Sequence, residues 1–297
     1  MEDSRIGVVV VTHQRRPEVL NAVERLVRLP EAPPIVVVDN GSTDGTAESL
    51  RARFPQVTVL ALRENRGAAG RNAGVARLHT RYVAFCDDDT WWEPGSLRAA
   101  ADTLDAYPGI AVINARIVVE PGGHDDPIVA ELRDSPVPAP DWLPGPALGS
   151  FLAGASVIRR DAFLAAGGFS PRLWLGGEEE LLATDLITAG GEICYLDHLV
   201  VHHQASLVRD SIRRRRAGLR NTLWFTWLRR PVLPALRRTA FLAGTVPRDS
   251  VSALACWDAI RGLPWVLARR RTRPRHVEAR LARLDATQRD STARRYV

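Results

Sequence analysis

Hydrophobic and polar positions alternate in blocks along the first ninety residues. Residues 6–12, IGVVVVT, are an apolar, mostly β-branched run, as expected of a strand buried on both faces. Residues 17–29 place Val19, Leu20, Val23, Leu26 and Val27 at helical spacing. Residues 35–39 predict a second strand, ended by Asn-Gly-Ser-Thr-Asp-Gly, where Thr43 or Asp44 can cap a helix running to Arg53. Residues 57–62 predict a third strand, 68–78 a helix after a glycine-rich turn, and 81–86 a fourth strand cut off by three aspartates. This βαβαβαβ rhythm implies an α/β fold: a Rossmann-like, mainly parallel sheet with helices on both faces. Ligands of such sheets bind beyond the carboxyl ends of the strands. The polar clusters 12–15, 39–44, 65–72 and 87–89 fall there.

Further along, the rhythm breaks. Residues 120–146 are rich in Pro, Gly and Asp and predict a long loop or lid. Residues 151–160 predict a strand and 161–166 a short helix closed by Gly167-Gly168. An amphipathic helix over 178–189 follows Gly176-Gly177, and 193–196 and 199–202 predict short strands. From 206 onward the pattern predicts three or four Arg-rich helices, broken near Pro231/Pro234, Pro247, Pro264 and Pro274. The expected division is therefore 1–205 and 206–297.

Composition adds boundaries. A chain of 297 residues can bury a core without disulfides or structural metal. No apolar run approaches the roughly 20 residues that span a bilayer. The first residues enter the strand-like run without the basic region and cleavage site of a signal peptide. Cys86, Cys194 and Cys256 lie far apart with no CxxC, so reduced thiols in a cytosolic protein are expected, the first two as small core residues. All 40 basic residues are Arg, which reads as the codon bias of a GC-rich genome. The net charge of +6 conceals two opposite parts: 18 Arg and 28 acidic residues before 205, but 22 Arg and 6 acidic residues from there on. A basic region of this kind faces something anionic.

Five clusters can carry chemistry, and each has a plainer reading. Asp87-Asp88-Asp89 at the end of a buried strand repel one another unless a cation or donors meet them; Mg²⁺ or Mn²⁺ suits such oxygens and leaves room for phosphate. The plainer reading is a solvated acidic turn. Val38-Asp-Asn-Gly-Ser-Thr-Asp-Gly-Thr46 can accept from a base or ribose, or be only a capped turn. Asn65-Arg-Gly-Ala-Ala-Gly-Arg-Asn-Ala-Gly74 looks like a phosphate loop without being a standard one; tight helix packing is the alternative. Glu178, Glu179 and Glu180 open a helix whose positive end favours their ionised forms, and an ionised carboxylate in a cleft can act as general base. They can equally decorate a helix end. His202 and His203 follow an apolar strand, where one could bind metal or both could be structural.

Singly these signals are weak; their order is specific. Over residues 6–205 the series Thr-x-x-Arg, VVDNGSTDGT, NRGAAGRNAG, DDD, GGF, GGEEE, VHH resembles family 2 glycosyltransferases of the A-type fold. The resemblance implies that Thr12, Asp39 and Arg71 surround the nucleotide base, with Arg15, Asn40, Ser42, Asn65, Gly67 and Asp88 completing the nucleotide site. Asp87 would meet ribose or metal, and Asp89 the metal and diphosphate. His202 aligns with the family's late metal-proximal histidine, with His203 as alternative. The family's Glu-Asp pair aligns with Glu178-Glu179, its second member being the usual base; here that position is Glu179, one methylene longer.

The implied enzyme is an inverting, metal-dependent glycosyltransferase. Its donor would be a nucleotide-diphospho-sugar, UDP-linked before dTDP or GDP, and its acceptor a glycan or lipid-linked hydroxyl. Cell-surface polysaccharide, glycolipid or secondary-metabolite glycosylation is the expected setting. Residues 206–297 would be a C-terminal helical extension that docks on an anionic membrane surface, binds anionic substrate, or simply packs on the catalytic domain. The expected location is cytoplasmic, peripheral at the inner face of the membrane; no nucleic acid is expected, and a homodimer is compatible. The rival from another class is a catalytically degenerate glycan-binding or scaffold protein, against which the intact DDD and EEE argue. A nicotinamide-dependent dehydrogenase would need GxGxxG where this chain has THQRRP.

Overall fold

The computed structural model of the chain describes residues 3–204 and 211–288. The first half follows the rhythm closely: β1 (Ile6–Thr12), α1 (Arg16–Leu26), β2 (Ile35–Asp39), α2 (Thr46–Arg53), β3 (Thr58–Ala61), α3 (Gly70–Arg77) and β4 (Tyr82–Asp87). Residues 90–119, to which the periodicity assigns no element, form β5 (Thr90–Trp92), α4 (Ser96–Ala106) and β6 (Ile110–Val119). Then come β7 (His124–Asp125), α5 (Ile128–Arg133), β8 (Ser156–Arg159), α6 (Arg160–Ala165), α7 (Glu178–Thr188) and β9 (Glu192–His203). Among the described residues the C-terminal region holds α8 (Ser211–Arg229), α9 (Val232–Thr245), α10 (Ser250–Arg261), α11 (Leu263–Ala268) and α12 (Arg275–Gln288), five helices where three or four are expected.

All strands join one sheet in the order β3-β2-β1-β4-β8-β6-β9-β5, with β7 on β6. β1 to β4 are parallel, as expected of buried β-branched runs. β8 enters antiparallel between β4 and β6, β6 and β9 are parallel, and β5 closes antiparallel on β9. The sheet is therefore mixed, yet β1, β2, β4, β6 and β9 all end at one edge.

Three local expectations change. The strand expected over 151–160 shortens to β8, because residues 153–155 form a single helical turn before it and Arg160 opens α6; the amides at 152 and 153 are taken elsewhere. Leu152 N donates to Asn114 Oδ1 at 2.7 Å and Ala153 N to Glu179 Oε1 at 2.5 Å. The two strands expected at 193–196 and 199–202 are one strand, whose pairing with β6 shifts so that Leu196 and Val200 oppose neighbouring residues Ala115 and Arg116. The 120–146 segment is not a free lid: Val129, Leu132, Val137 and Leu143 are buried in the main core.

That core fills both faces of the sheet, and Val277 of α12 belongs to it. A second cluster joins Leu173 and Leu181 to Trp224, Phe225 and Leu228 of α8, with Ala259, Val266 and Leu281. Burying a side chain such as Phe225 or Leu228 is worth about 1.5–3 kcal/mol, so the C-terminal helices are held by ordinary core packing. Cys86 and Cys194 are buried and Cys256 exposed, all as free thiols. The boundary expected at 205/206, and the Asp210 start of the basic helix, lie outside the described residues.

Candidate active site at the carboxyl edge of the sheet

Strand register brings the candidate polar residues together. Thr12 pairs with Asp39, and Val11 with Asp87, so the last residues of β1, β2 and β4 share the edge. Asp39 is buried, and its Oδ1 accepts from Ser42 N at 3.0 Å, fixing the turn after β2. Asn40 donates through Nδ2 to Gly67 O at 3.0 Å, while Asn65 Oδ1 accepts from Gly67 N at 2.8 Å. Gly67 sits at φ 58° with Trp174 O only 2.0 Å from where a Cβ would stand, so no other residue fits. The 39–44 and 65–74 motifs are thus two halves of one wall.

Opposite this wall stands the acidic triplet. Arg71 is buried and pairs with Asp87 Oδ1. Arg15 reaches Asp88 Oδ1 at 2.8 Å and Asp89 Oδ2 at 3.2 Å. Two arginines therefore meet the three carboxylates, which answers their mutual repulsion. Arg71, expected in the nucleotide site, holds Asp87 and lies 5.8 Å from the Phe169 ring centroid. Burial still pushes the Asp88 carboxyl up to about 7, against the pull of Arg15.

The two histidines separate because neighbours on a strand face opposite ways. His203 Nε2 is 3.7 Å from Asp89 Oδ1, and its Nδ1 is 4.0 Å from Asp126 Oδ2. His202 faces the other way, bonding Glu93 Oε2 at 2.5 Å and Glu120 Oε1 at 2.9 Å, stacked on Trp91. Of the two histidines, His203, the alternative, is accordingly the one on the side of the acidic triplet, and the half-buried His202 lies with Glu93 and Glu120.

The entry to α7 completes the site. Gly176 and Gly177 take φ of 85° and 81°, open to glycine but strained for other residues, and turn the chain so that Glu178 and Glu179 lead the helix inward. Glu178 is buried with Oε2 unpartnered, on the side of Arg71 and Asp87. Glu179 faces a cavity of about 560 Å³ that it shares with Asp87, Asp126, Phe151 and His203. Burial holds both carboxyls above the usual range, and for Glu179 the neighbouring Glu178 adds to it. Glu180 does not line this cavity. Asn40 Oδ1 and Arg71 Nε are also buried without a hydrogen-bond partner. Unmet buried polar atoms gathered at one edge are what a polar ligand would satisfy.

Sequence reasoning gave no role to the residues that hold these parts together. Asn72 clamps the Phe169 backbone, donating to O at 2.8 Å and accepting from N at 3.0 Å, which ties the glycine-rich motif to Gly167-Gly168-Phe169. Asn221 of α8 is fully buried and donates from Nδ2 to the carbonyls of Leu173, Leu175 and Gly176 at 2.7, 3.0 and 2.5 Å. Nothing local marks Asn221, since its partners lie more than forty residues earlier.

The sequence profile of Glycosyl transferase family 2 matches residues 7–163, more than half of the chain and all of the strand-edge motifs up to β8. The chain belongs to glycosyl transferase family 2. Among its relatives is the N-acetylglucosaminyl-diphospho-decaprenol L-rhamnosyltransferase of Mycobacterium tuberculosis, 26% identical over 78% of this chain and 89% of that protein. The pre-mycofactocin glycosyltransferase of the same organism is 30% identical over 66% of this chain and 43% of that one. Among solved structures, the mannosyltransferase PcManGT of Pyrobaculum calidifontis, in complex with GDP-Man and Mn²⁺, superposes with a TM-score of 0.56 at 18% identity, over 97% of this chain and 88% of that one. This transferase therefore has the A-type glycosyltransferase fold, followed by a C-terminal helical region, and its reaction is glycosyl transfer from a nucleotide sugar.

Proposed function

We propose that this transferase is an inverting, metal-dependent enzyme that moves a sugar from a nucleotide-diphospho-sugar to a hydroxyl of a lipid-linked glycan at the inner face of the membrane. The observation that carries the reading is the meeting of Glu179, Asp87 and His203 in one cavity at the strand edge, beside the wall formed by Asp39, Asn40 and Asn65. UDP is the favoured nucleotide, with dTDP and GDP next.

The residues fit a hard divalent cation as a partial donor set. Asp87 and Asp89 offer carboxylate oxygens and His203 an imidazole beside them. Among the described residues no three such side chains are already grouped around one point. A Mg²⁺ or Mn²⁺ ion held there would take its remaining oxygens from diphosphate and water and would neutralise charge on the leaving group. The Mn²⁺ in the PcManGT complex supports this choice.

The chain's own residues do the rest. Arg15 and Arg71 hold the triplet in place and offer positive charge to an incoming diphosphate. Glu179 takes the proton from the acceptor hydroxyl. The acceptor oxygen then bonds to the anomeric carbon as the bond to the diphosphate oxygen breaks on the opposite face, so configuration inverts. The lipid-linked acceptor is supported by the name of the mycobacterial relative, which acts on a diphospho-decaprenol.

The test is release of nucleoside diphosphate from a panel of sugar nucleotides, with Mn²⁺, Mg²⁺ or EDTA, and the anomeric configuration of the product. Full activity in EDTA would remove the metal, retained configuration the direct displacement, and a Glu179→Gln variant of strongly lowered kcat is expected.

A further inference from the structure

Nine of the eleven large apolar side chains that stand exposed among the described residues lie from Ile212 to Leu267, so exposed apolar surface is concentrated on the Arg-rich helices. Their arrangement is regular. α8 is the helix on which α9, α10 and α11 pack. The side of α10 toward α8 buries Ser252, Ala255 and Ala259, and there Asp258 accepts from Arg216 of α8 at 2.7 and 3.0 Å. Asp249, the other acid of this region, caps α10 at Ser252 N and pairs with Arg215 of α8.

The opposite side of α10 presents Leu254, Trp257 and Ile260, 44%, 57% and 56% exposed. Gly262 keeps right-handed helical backbone, so the row continues on α11 as Leu263 and Leu267, 38% and 63% exposed. A second row, Val232, Leu233 and Leu236, stands on α9 above buried Ala235 and Leu242. Arg237, Arg248, Arg261 and Arg269 are exposed around these rows.

A layer that only covered the catalytic body would have apolar residues inward and charge outward. Here the inward faces already fill a core with Trp224, Phe225 and Val266, and the outward faces are apolar as well. Isolated exposed leucines are ordinary, but rows of them mark a docking surface. Its charge selects the occupant. Both acids of the α10 region are engaged by arginines of α8, so the outer face offers apolar side chains and guanidinium groups. A second copy of the chain would set those arginines against themselves, whereas anionic headgroups complement them. No helix among the described residues is long and apolar enough to cross a membrane, so the mode is interfacial.

We propose that the outer face of α9, α10 and α11 seats the protein on a bilayer surface rich in anionic lipid. The apolar rows enter the boundary between headgroups and acyl chains, and the arginines meet the phosphates. The same α8 that carries these helices holds the turn into α7 through Asn221, so the seat and the cavity are joined by one helix.

The experiment is sedimentation of the full chain with vesicles of phosphatidylcholine alone or mixed with phosphatidylglycerol; it needs no turnover and so stands or falls apart from the transferase reading. The wild type is expected to sediment with the mixed vesicles and far less with the neutral ones, with binding weakened by salt. Each arginine at an anionic surface is worth roughly fivefold in partition. Replacing Arg237, Arg248, Arg261 and Arg269 by Gln is therefore expected to lower binding by more than about tenfold. Trp257→Ser, Ile260→Ser and Leu267→Ser together are expected to lower it by about tenfold or more, with an unchanged melting temperature because these side chains are exposed. Absence of sedimentation, indifference to phosphatidylglycerol, or a triple-Ser variant that binds like wild type overturns the proposal. So does a wild type that ignores vesicles but is a dimer by light scattering and a monomer as the triple-Ser variant, which would assign the face to a second copy.

Discussion

A carboxylate can take a proton from an acceptor hydroxyl only while it is ionised, so the surroundings of Glu179 set the pH at which the proposed base works. Burial first, and then the charge of Glu178, hold its pKa above the ordinary range. Activity is therefore expected to climb with pH along an acid limb that lies above the usual carboxylate range. Removing the neighbouring charge with Glu178→Gln should move that limb to lower pH, which a pH profile of kcat/KM would show. Glu179→Gln should lower kcat by roughly 10²–10⁴-fold with a smaller change in donor KM. Asp88 has a different consequence. Its carboxyl is raised to about 7 in the folded chain, mainly by burial, so the folded state keeps a proton that the unfolded state has released. Its contribution to stability is full below the ordinary aspartate pKa and is lost as pH rises toward 7. Denaturant unfolding in metal-free buffer should show stability falling across that window, and Asp88→Asn should flatten the slope. The histidines give the sharpest contrast at this scale. His203→Ala is expected to lower activity and raise the Mn²⁺ concentration needed for half-maximal rate, while His202→Ala leaves both nearly unchanged, since its ring binds Glu93 and Glu120 outside the cavity.

At the scale of elements, what was legible in the sequence is what local pattern controls. β1, β2 and β4 are continuous apolar runs ended by Thr12, Asp39 and Asp87, and periodicity found them together with the edge they define. α4 shows helical spacing in Leu97, Ala100, Ala101 and Leu104, yet it lies between the acidic triplet and a buried strand, where the βα rhythm breaks. β8 is shorter than its apolar run because residues 153–155 make a helical turn, with the amides of Leu152 and Ala153 taken by Asn114 and Glu179, contacts between distant segments that no local pattern carries. His202 and His203 were distinguishable only once strand register was known. Asn221 is the clearest case: an amide within an Arg-rich helix satisfies three carbonyls of the turn that aims Glu178 and Glu179. Asn221→Ala takes the side-chain donor from the Leu175 and Gly176 carbonyls, at a cost of about 1–3 kcal/mol, while Leu173 O keeps Arg220 at 3.1 Å. A lower melting temperature is expected, with kcat falling more than donor KM rises, because the glutamates lose their fixed approach while the Asp39–Asn65 wall stays intact. An unchanged kcat in a destabilised protein would make the residue purely structural.

At the scale of the molecule, the charge separation between the two parts of the chain invites a picture of an acidic catalytic domain with a detachable basic tail. The packing argues for one folding unit instead. Val277 of α12 lies in the same core as β1 and β4, and Leu281 closes a second core with Trp224, Phe225, Leu173 and Leu181. Ion pairs cross in the same sense: Arg229 holds Asp185 of α7 with bonds of 2.8 and 3.0 Å, and Arg280 holds Glu192 of β9 at 2.7 and 2.8 Å. A segment bound through shared apolar cores and half-buried guanidinium–carboxylate pairs does not melt apart from its partner, because removing it leaves both the cores open and the carboxylates unpaired. Calorimetry of the full chain is therefore expected to show a single transition, with calorimetric and van't Hoff enthalpies in agreement. A chain ended at residue 204 is expected to lose that cooperative transition and to expose Leu173 and Leu181. Two resolved transitions, or a truncated chain that melts cooperatively on its own, would restore the picture of independent domains.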